Sequence, residues 1–155
     1  MNPCPCGFHG SGTKACTCPH QIVTCYQKRI SGPMLDRIDT HIEVPRVDFE
    51  KLSDNRRREA SDEIRAQAEQ ARQRQRERFA GLNNWVMTNA DIRIAEVRQF
   101  CDLDDAGQTL IKAAMTQLQL STRAYHRILK LACSIADLVG EEEIKFTHLA
   151  EVFQY

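Results

Sequence analysis

The chain has 155 residues, 21 basic and 21 acidic side chains, and a formal net charge of zero. This length predicts one domain or slightly more, and the balanced charge excludes recruitment to nucleic acid or membrane by net charge alone. The sequence has neither an apolar run long enough to span a membrane nor a signal peptide, which predicts a soluble, cytoplasmic protein.

The first 25 residues are rich in glycine, proline and cysteine and show no amphipathic period, which predicts a long loop. Five of the seven cysteines lie here, and such an odd, clustered set favours a metal site over a disulfide framework. Two Cys-x-Cys pairs, separated by nine residues, offer thiolates for a tetrahedral zinc site: Cys4, Cys6, Cys16 and Cys18. His9, His20 and Cys25 are alternative ligands, and a disordered loop or an iron–sulfur cluster are competing interpretations.

The segment of residues 26–45 combines a helix start, an arginine and an alternating pattern. Ser31-Gly32-Pro33 predicts a helix start, because proline fits the first helical position, and the helix would run to about Arg37. From Ile38 to Val44 apolar and polar residues alternate, which predicts a short strand that Pro45 ends. Arg37 would then be exposed at a helix-to-strand joint, where a guanidinium can reach a phosphate on another molecule or subunit.

Residues 51–82 are dominated by Arg, Glu, Gln and Ala, which favour a helix. Ser53 can cap this helix and Gly81 can end it, so that about 27 residues would span about 40 Å. Its apolar side chains form one narrow stripe: Ala60, Ile64, Ala68, Ala71 and Phe79. The pattern predicts a lightly packed connecting helix, whose arginines face solvent or contact a phosphate backbone.

Residues 83–155 predict a small bundle of three or four amphipathic helices joined by short connections. The expected helices are 90–100, 105–120, 122–139 and 148–155, with the respective caps Asn89, Asp104, Ser121 and Thr147. Gly140 follows the third of them at the position that favours glycine. Cys101 and Cys133 fit this bundle as small buried apolar residues.

The helix 122–139 also carries cations on one face, at Arg123, Arg127 and Lys130. An arginine in the first turn of a helix, beside free backbone N–H groups, is suited to binding an anion. The alternative interpretation is an ordinary solvated basic face.

Four motifs follow one another along the chain: NPCPCG, CxC, YxxRISGPxLDRID and LSTRAYHRILKLA. In this order they resemble the C-terminal part of the Mg-chelatase-like AAA+ ATPases, in particular the ComM/YifB branch. The resemblance implies a mostly α fold: the helical lid bundle of an AAA+ module, preceded by a cysteine-rich loop, one short strand and a long charged helix. It divides the chain into the end of the AAA+ core (1–50), the connecting helix (51–82) and the lid (83–155).

The same resemblance implies roles for individual residues in ATP hydrolysis. Arg37 matches the arginine finger that reaches the γ-phosphate bound by a neighbouring subunit, and Arg29 contacts the same phosphate or braces the loop. Asn2 matches the sensor-1 residue that orients the attacking water. Arg123 matches the sensor-2 arginine, with Arg127 beside it in the nucleotide site. The sequence departs from many relatives at the position of Cys133, where they carry Arg.

No phosphate-binding Gly-x-x-x-x-Gly-Lys-Ser/Thr motif occurs in the sequence, so we expect no ATPase activity from this chain alone. For the longer protein the resemblance implies an ATP- and Mg²⁺-dependent ring motor, with a hexamer expected, that remodels DNA by branch migration during recombination of incoming DNA. Two alternatives stay open. One is a chelatase motor that drives magnesium into a porphyrin, and the other is a non-enzymatic, zinc-bearing helical module that binds nucleic acid or protein.

Overall fold

The computed structural model describes residues 2–12, 14–35, 37–42, 44, 59–82 and 85–155. It confirms the mostly α fold class, because this part of the chain contains seven helices and only one isolated β-bridge, between Leu103 and Ile144. The chain divides into two compact units, Met1–Asp39 and Thr40–Tyr155. Within the described ranges, every helix is too short or too polar to cross a bilayer.

The first unit contains two short helices, α1 (His20–Gln27) and α2 (Gly32–Leu35). The prediction of a loop up to residue 25 is therefore wrong beyond Pro19, which immediately precedes α1. Helix α1 forms there because Val23 is buried, with 4% of its surface exposed, and anchors one face. The Gln27 side chain also donates a 3.2 Å hydrogen bond to the carbonyl of Pro3.

The segment after α2 continues as turns and does not form the predicted strand. The backbone N–H of Arg37 donates to the Met34 carbonyl at 3.1 Å. Residues 38–42 and 44 are irregular, and Ile42 and Val44 are 68% and 83% exposed. A strand requires a neighbouring strand for its backbone hydrogen bonds, and none pairs with this segment in the part of the chain that the structure describes. Residues 43 and 45 lie outside that part.

The long charged helix, α3, runs over Ser61–Phe79. Its start corrects the predicted one near Ser53, because residues 59 and 60 are not helical, and residues 45–58 lie outside the described part. The Ala60 N–H donates to the Glu63 carboxylate at 3.2 Å, which satisfies one backbone donor at this end. With 19 residues, α3 is about 28 Å long. Only its C-terminal half is packed, through Ala71, Gln75 and Phe79, whereas Ile64 is 52% exposed.

The rest of the second unit is a bundle built around α6 (Thr122–Val139), which packs against α3, α4 (Ile94–Phe100) and α7 (Phe146–Val152). Helix α5 (Asp105–Gln117) packs against α7. The core is aliphatic, with one edge-to-face aromatic pair, Phe79 and Phe100, whose ring centroids are 5.3 Å apart. Cys101 and Cys133 are 4% and 2% exposed, which confirms them as core residues.

Helix α6 has the boundaries that its caps predict. The Ser121 hydroxyl accepts a hydrogen bond from the Ala124 N–H at 3.2 Å. Gly140 ends the helix with a φ of 95°, a conformation that costs glycine little. Asp104 also caps α5 as predicted, by accepting from the Gly107 N–H at 2.7 Å, although α5 ends before the predicted Leu120.

Two other predicted helix starts are wrong. Helix α4 begins at Ile94 and not at Ala90, because the Asp91 carboxylate accepts from the N–H groups of Met87 and Thr88 and closes a turn there. Helix α7 begins at Phe146, where His148 Nδ1 accepts from the Lys145 N–H at 3.1 Å. Its predicted cap, Thr147, therefore lies inside the helix, and the predicted cap Asn89 has the different role described below.

Candidate functional site

The four cysteines predicted to bind metal come together in the first unit. The Sγ atom of Cys4 lies 3.3 Å from that of Cys6 and 3.7 Å from that of Cys16, and Cys6 and Cys16 are 3.6 Å apart. With Cys18 included, all four Sγ atoms lie within 4.8 Å of one another. A tetrahedral zinc site with Zn–S bonds of about 2.3 Å places its sulfur atoms about 3.8 Å apart, so this donor set fits zinc.

Local backbone geometry explains why the thiols converge. The Gly7 N–H donates to the Cys4 carbonyl at 3.0 Å, and this tight turn places both cysteines of the first pair on one side of the loop. Gly7 has a φ of 80°, which is a left-handed conformation that favours glycine. Cys4 is fully buried and the other three are partly buried. The alternative ligands His9, His20 and Cys25 are exposed and do not belong to this group among the described residues.

Because the thiols lie close together, their pKa values also differ from one another. The backbone N–H of Phe8 and the Cys4 thiol lower the pKa of Cys6 to about 6. A backbone hydrogen bond from Cys18 lowers the pKa of Cys16, but burial and the neighbouring thiols of Cys6 and Cys4 outweigh it and raise that pKa to about 12. In the absence of a cation, one thiolate therefore disfavours a second beside it.

Three residues assigned to ATP hydrolysis by resemblance lie in the first unit: Asn2, Arg29 and Arg37. All three are exposed. The Arg29 guanidinium lies over the ring of Tyr26, 5.6 Å from its centroid, and this contact holds it beside the end of α1. Arg37 follows α2 on a hydrogen-bonded turn, so its backbone is fixed while its side chain faces solvent.

Arg123 and Arg127 lie in the second unit, in the first turns of α6. Arg123 is exposed and Arg127 is partly buried. Lys130, the third cation of the predicted face, does not belong to a solvated strip, because its Nζ donates to the Ala90 carbonyl at 2.9 Å. The candidate anion-binding face of α6 is thus confined to its N-terminal turns.

A cleft of about 490 Å³ adjoins these turns, between α4, α5 and α6. Its cationic lining residues are Arg98 and Lys112, and Asp102 is the acidic one. His126 also lines it, and His126 Nδ1 is buried with no hydrogen-bond partner among the described residues. The cleft beside the N-terminal turns of α6 therefore brings together one cation from α4, one from α5 and the His126 imidazole of α6.

A buried polar network fastens α3 to α6. The Asp137 carboxylate is fully buried and accepts hydrogen bonds from Arg78 at 2.5 and 3.1 Å. Gln75 and Asn89 donate to the same carboxylate at 3.0 and 2.8 Å. Arg78 also donates to Cys133 Sγ at 3.1 Å. Burial alone would lower the pKa of Arg78, but its bonds to Asp137 raise it, so the guanidinium stays charged.

Comparisons with known proteins agree with the motifs. The family model described as "Magnesium chelatase, subunit ChlI C-terminal" matches residues 58–155, and the model "Magnesium chelatase, subunit ChlI" matches residues 1–52. The chain belongs to the Mg-chelatase-like family. The resemblance inferred from the four motifs is therefore confirmed, and the family falls within the AAA+ ATPase class.

Two curated relatives show which branch of the Mg-chelatase-like family the chain resembles. Over 156 aligned residues, covering all of this chain, it is 40% identical to "Competence protein ComM" of Haemophilus influenzae. It is 35% identical to "Uncharacterized protein YifB" of Escherichia coli over the same span. The chain covers 29% of the length of each of these relatives, so any activity of a whole Mg-chelatase-like protein is a proposal here.

The motifs of this Mg-chelatase-like chain did not reveal the buried network. Asp137 could have been noticed as the one acidic residue in the apolar run Ser134–Val139 of α6. Gln75 and Arg78 are three positions apart on α3 and therefore lie on the same face of the helix. This face also carries the buried residues Ala71 and Phe79. An acid in an apolar run requires a buried partner, and this requirement was the available signal.

Proposed function

We propose that this chain is the arginine-finger and lid part of an AAA+ motor that hydrolyses ATP and remodels DNA. The observation that carries the proposal is Arg37, an exposed guanidinium on a fixed turn in a sequence that has no phosphate-binding loop. Such a cation has no nucleotide site of its own within the chain. On the family resemblance, we assign its target to ATP held by a neighbouring subunit, and head-to-tail contacts of this kind can close into a ring.

In the transition state of ATP hydrolysis, negative charge is spread over the γ-phosphoryl oxygens and develops on the leaving oxygen. Arg37, together with Arg29, places positive charge against that phosphate, and Asn2 orients the water by its side-chain amide. Arg123 contacts the nucleotide from the lid, with Arg127 next to it on α6. Mg²⁺, when bound with ATP, neutralises phosphate charge, and we assign it no ligand in this chain.

The buried network gives the lid its mechanical role in this proposal. Because Arg78 and Gln75 of α3 bind Asp137 of α6, the long helix and the helix that carries Arg123 form one packed body. A movement of α3 is therefore passed directly to Arg123. In the ring, this connection links nucleotide state to the position of the lid.

DNA is the proposed substrate, and the likeness to the competence protein supports it. The matched family models bear the name of magnesium chelatase and support a second candidate, a motor for metal insertion into a porphyrin. The two candidates are separated by adding single- or double-stranded DNA, or a porphyrin, to the intact protein during ATP hydrolysis. Stimulation by DNA alone is expected. Stimulation by porphyrin alone would favour the chelatase.

The cysteine cluster is proposed to bind one zinc ion through Cys4, Cys6, Cys16 and Cys18. The fit of the four Sγ positions to a zinc tetrahedron supports this proposal. Bound zinc would fix a segment that buries little apolar surface, since Val23 and Cys4 are its only described apolar residues below 9% exposure. The role is structural, because all four positions of the tetrahedron are filled by protein.

Substitution of Arg37 by alanine in the intact protein is expected to lower the rate of ATP hydrolysis by about 10³-fold or more. The affinity for ATP should change little, because the finger acts on charge that develops in the transition state. Steady-state phosphate release and binding of a fluorescent ATP analogue measure the two quantities. Arg65→Ala, at an exposed arginine of α3 paired with Asp62, is the matched control and should leave both unchanged. Unchanged turnover in Arg37→Ala would contradict the finger role.

A further inference from the structure

We propose that the described residues of the loop between the two cysteine pairs, 7–12 and 14–15, form a contact surface for single-stranded DNA, with Phe8 as a base-stacking side chain and Lys14 as its phosphate contact. The inference deepens the proposed function, on which it rests for the choice of DNA as partner. Its own evidence comes from the first unit.

The first observation is a cation–aromatic pair on the loop. Lys14 Nζ lies 4.8 Å from the centroid of the Phe8 ring. Phe8 is partly buried and Lys14 is exposed, so both side chains are at least partly accessible to solvent. Proteins that bind single strands combine aromatic rings, on which bases stack, with cations that follow the backbone. This pair supplies one of each.

The second observation is the distribution of charge. Residues 1–35 contain Lys14, Lys28 and Arg29 but no aspartate or glutamate, so all 21 acidic side chains of this neutral chain lie beyond residue 35. Lys14, Lys28 and Arg29 are all exposed. A zinc ion bound by four thiolates has a negative net charge, because the four negative charges of the thiolates exceed the two positive charges of Zn²⁺. Zinc binding would therefore offset part of the positive charge of Lys14, Lys28 and Arg29. Residues 1–35 themselves contain no carboxylate that would repel a phosphate backbone.

The third observation is that the loop leaves room for a ligand. A Cβ atom built at Gly7, Gly10 or Gly12 would meet no other atom within 4 Å. The backbone at these glycines is therefore open on the side where a side chain would stand. The turn in which the Ser11 N–H donates to the Phe8 carbonyl at 3.1 Å fixes the loop beside the ring. A strand can approach the backbone closely at such positions.

A second exposed pair of the same kind provides a matched control. Arg93 lies over the ring of Trp85 at 4.2 Å, and Trp85 is 44% exposed. This pair belongs to the second unit. That unit contains all the acidic side chains of the chain except Asp36 and Asp39. If any exposed cation–aromatic pair sufficed for DNA binding, Trp85 would contribute as much as Phe8.

The test measures fluorescence anisotropy of a labelled oligo-dT of about 20 nucleotides, titrated with the whole 155-residue chain purified without chelator. Phe8→Ala is expected to weaken binding by about fivefold to 150-fold, which is the loss of one base-stacking contact. Lys14→Gln is expected to reduce the slope of log affinity against log salt concentration by about 0.7. Trp85→Ala and Arg93→Gln should bind as the wild type does.

Three results would overturn the proposal. The first is that the wild-type chain does not bind oligo-dT, the second is that Phe8→Ala and Lys14→Gln both bind it as the wild type does, and the third is that the wild type binds a duplex of the same length with the same affinity as oligo-dT. Lys14→Gln removes only an exposed charge and therefore remains informative if Phe8→Ala perturbs the loop. Failure here leaves the ATPase proposal intact, because that proposal is tested by Arg37→Ala in the intact protein. Conversely, an intact protein that fails to respond to DNA would refute the motor without altering the binding measured on this chain.

Discussion

Replacement of Asp137 by asparagine is expected to destabilise the second unit by about 3–5 kcal/mol, the usual effect of removing one partner from a buried ion pair. The substitution preserves the shape of the side chain and removes its charge. Arg78, whose side chain is 17% exposed, then keeps its positive charge without a counter-charge. The new amide nitrogen also faces donors in place of a carboxylate oxygen: Gln75, Asn89 and Arg78 Nη1 if it takes the position of Oδ2, or Arg78 Nη2 if it takes that of Oδ1.

Urea unfolding followed by circular dichroism measures this change through the midpoint and slope of the transition. The matched control is Asp62→Asn, because Asp62 pairs with Arg65 on the exposed face of α3, where both side chains are more than two-thirds exposed. That control should change the free energy of unfolding by less than about 1 kcal/mol. An equally small effect for Asp137→Asn would show that the network does not fasten α3 to α6.

Replacement of Cys4 by serine is expected to abolish zinc binding by the chain. Cys4 is the fully buried member of the cluster. Its replacement leaves the zinc position with three thiolates, and burial prevents a water molecule from taking the place of the fourth. Structural zinc contributes about 10–16 kcal/mol of apparent binding energy in zinc-finger peptides, so loss of the ion should unfold the first unit locally. The second unit, with its own core, should keep its thermal transition.

Elemental analysis of protein purified without chelator measures the ion directly, with one zinc per wild-type chain expected. Cobalt substitution provides an independent readout, because its visible absorption reports a tetrahedral set of thiolates. Cys25→Ser removes an exposed thiol outside the cluster and should keep full zinc content. Absence of zinc from the wild type, or its retention in Cys4→Ser, would refute the site. Iron and sulfide in place of zinc would identify a cluster.

The elements that sequence predicted well are those set by local chemistry. Helix α6 has its predicted bounds because Ser121 and Gly140 act on backbone groups within a few residues of themselves. The four metal-binding candidates were likewise recognisable, since spacing within one loop limits which thiols can meet. The family was recognisable from long, ordered motifs.

The elements that sequence predicted poorly depend on distant partners. The alternating pattern from Ile38 to Val44 suits a strand, but a strand exists only when another pairs with it, and a pattern does not show that partner. The predicted cap Asn89 instead donates to Asp137, which lies 48 positions away. Competition from this contact, and from the turn closed by Asp91, moved the start of α4 to Ile94.

The central claim is that Arg37 acts on ATP bound by a neighbouring subunit, and subunit mixing tests it most directly. Two inactive variants of the intact protein are combined: Arg37→Ala, and a variant whose own nucleotide site no longer binds ATP. If the finger acts between subunits, an equimolar random ring pairs an intact site with an intact finger at about a quarter of its interfaces. The mixture should then recover about a quarter of wild-type ATP hydrolysis. A mixture as inactive as either variant alone would contradict the account.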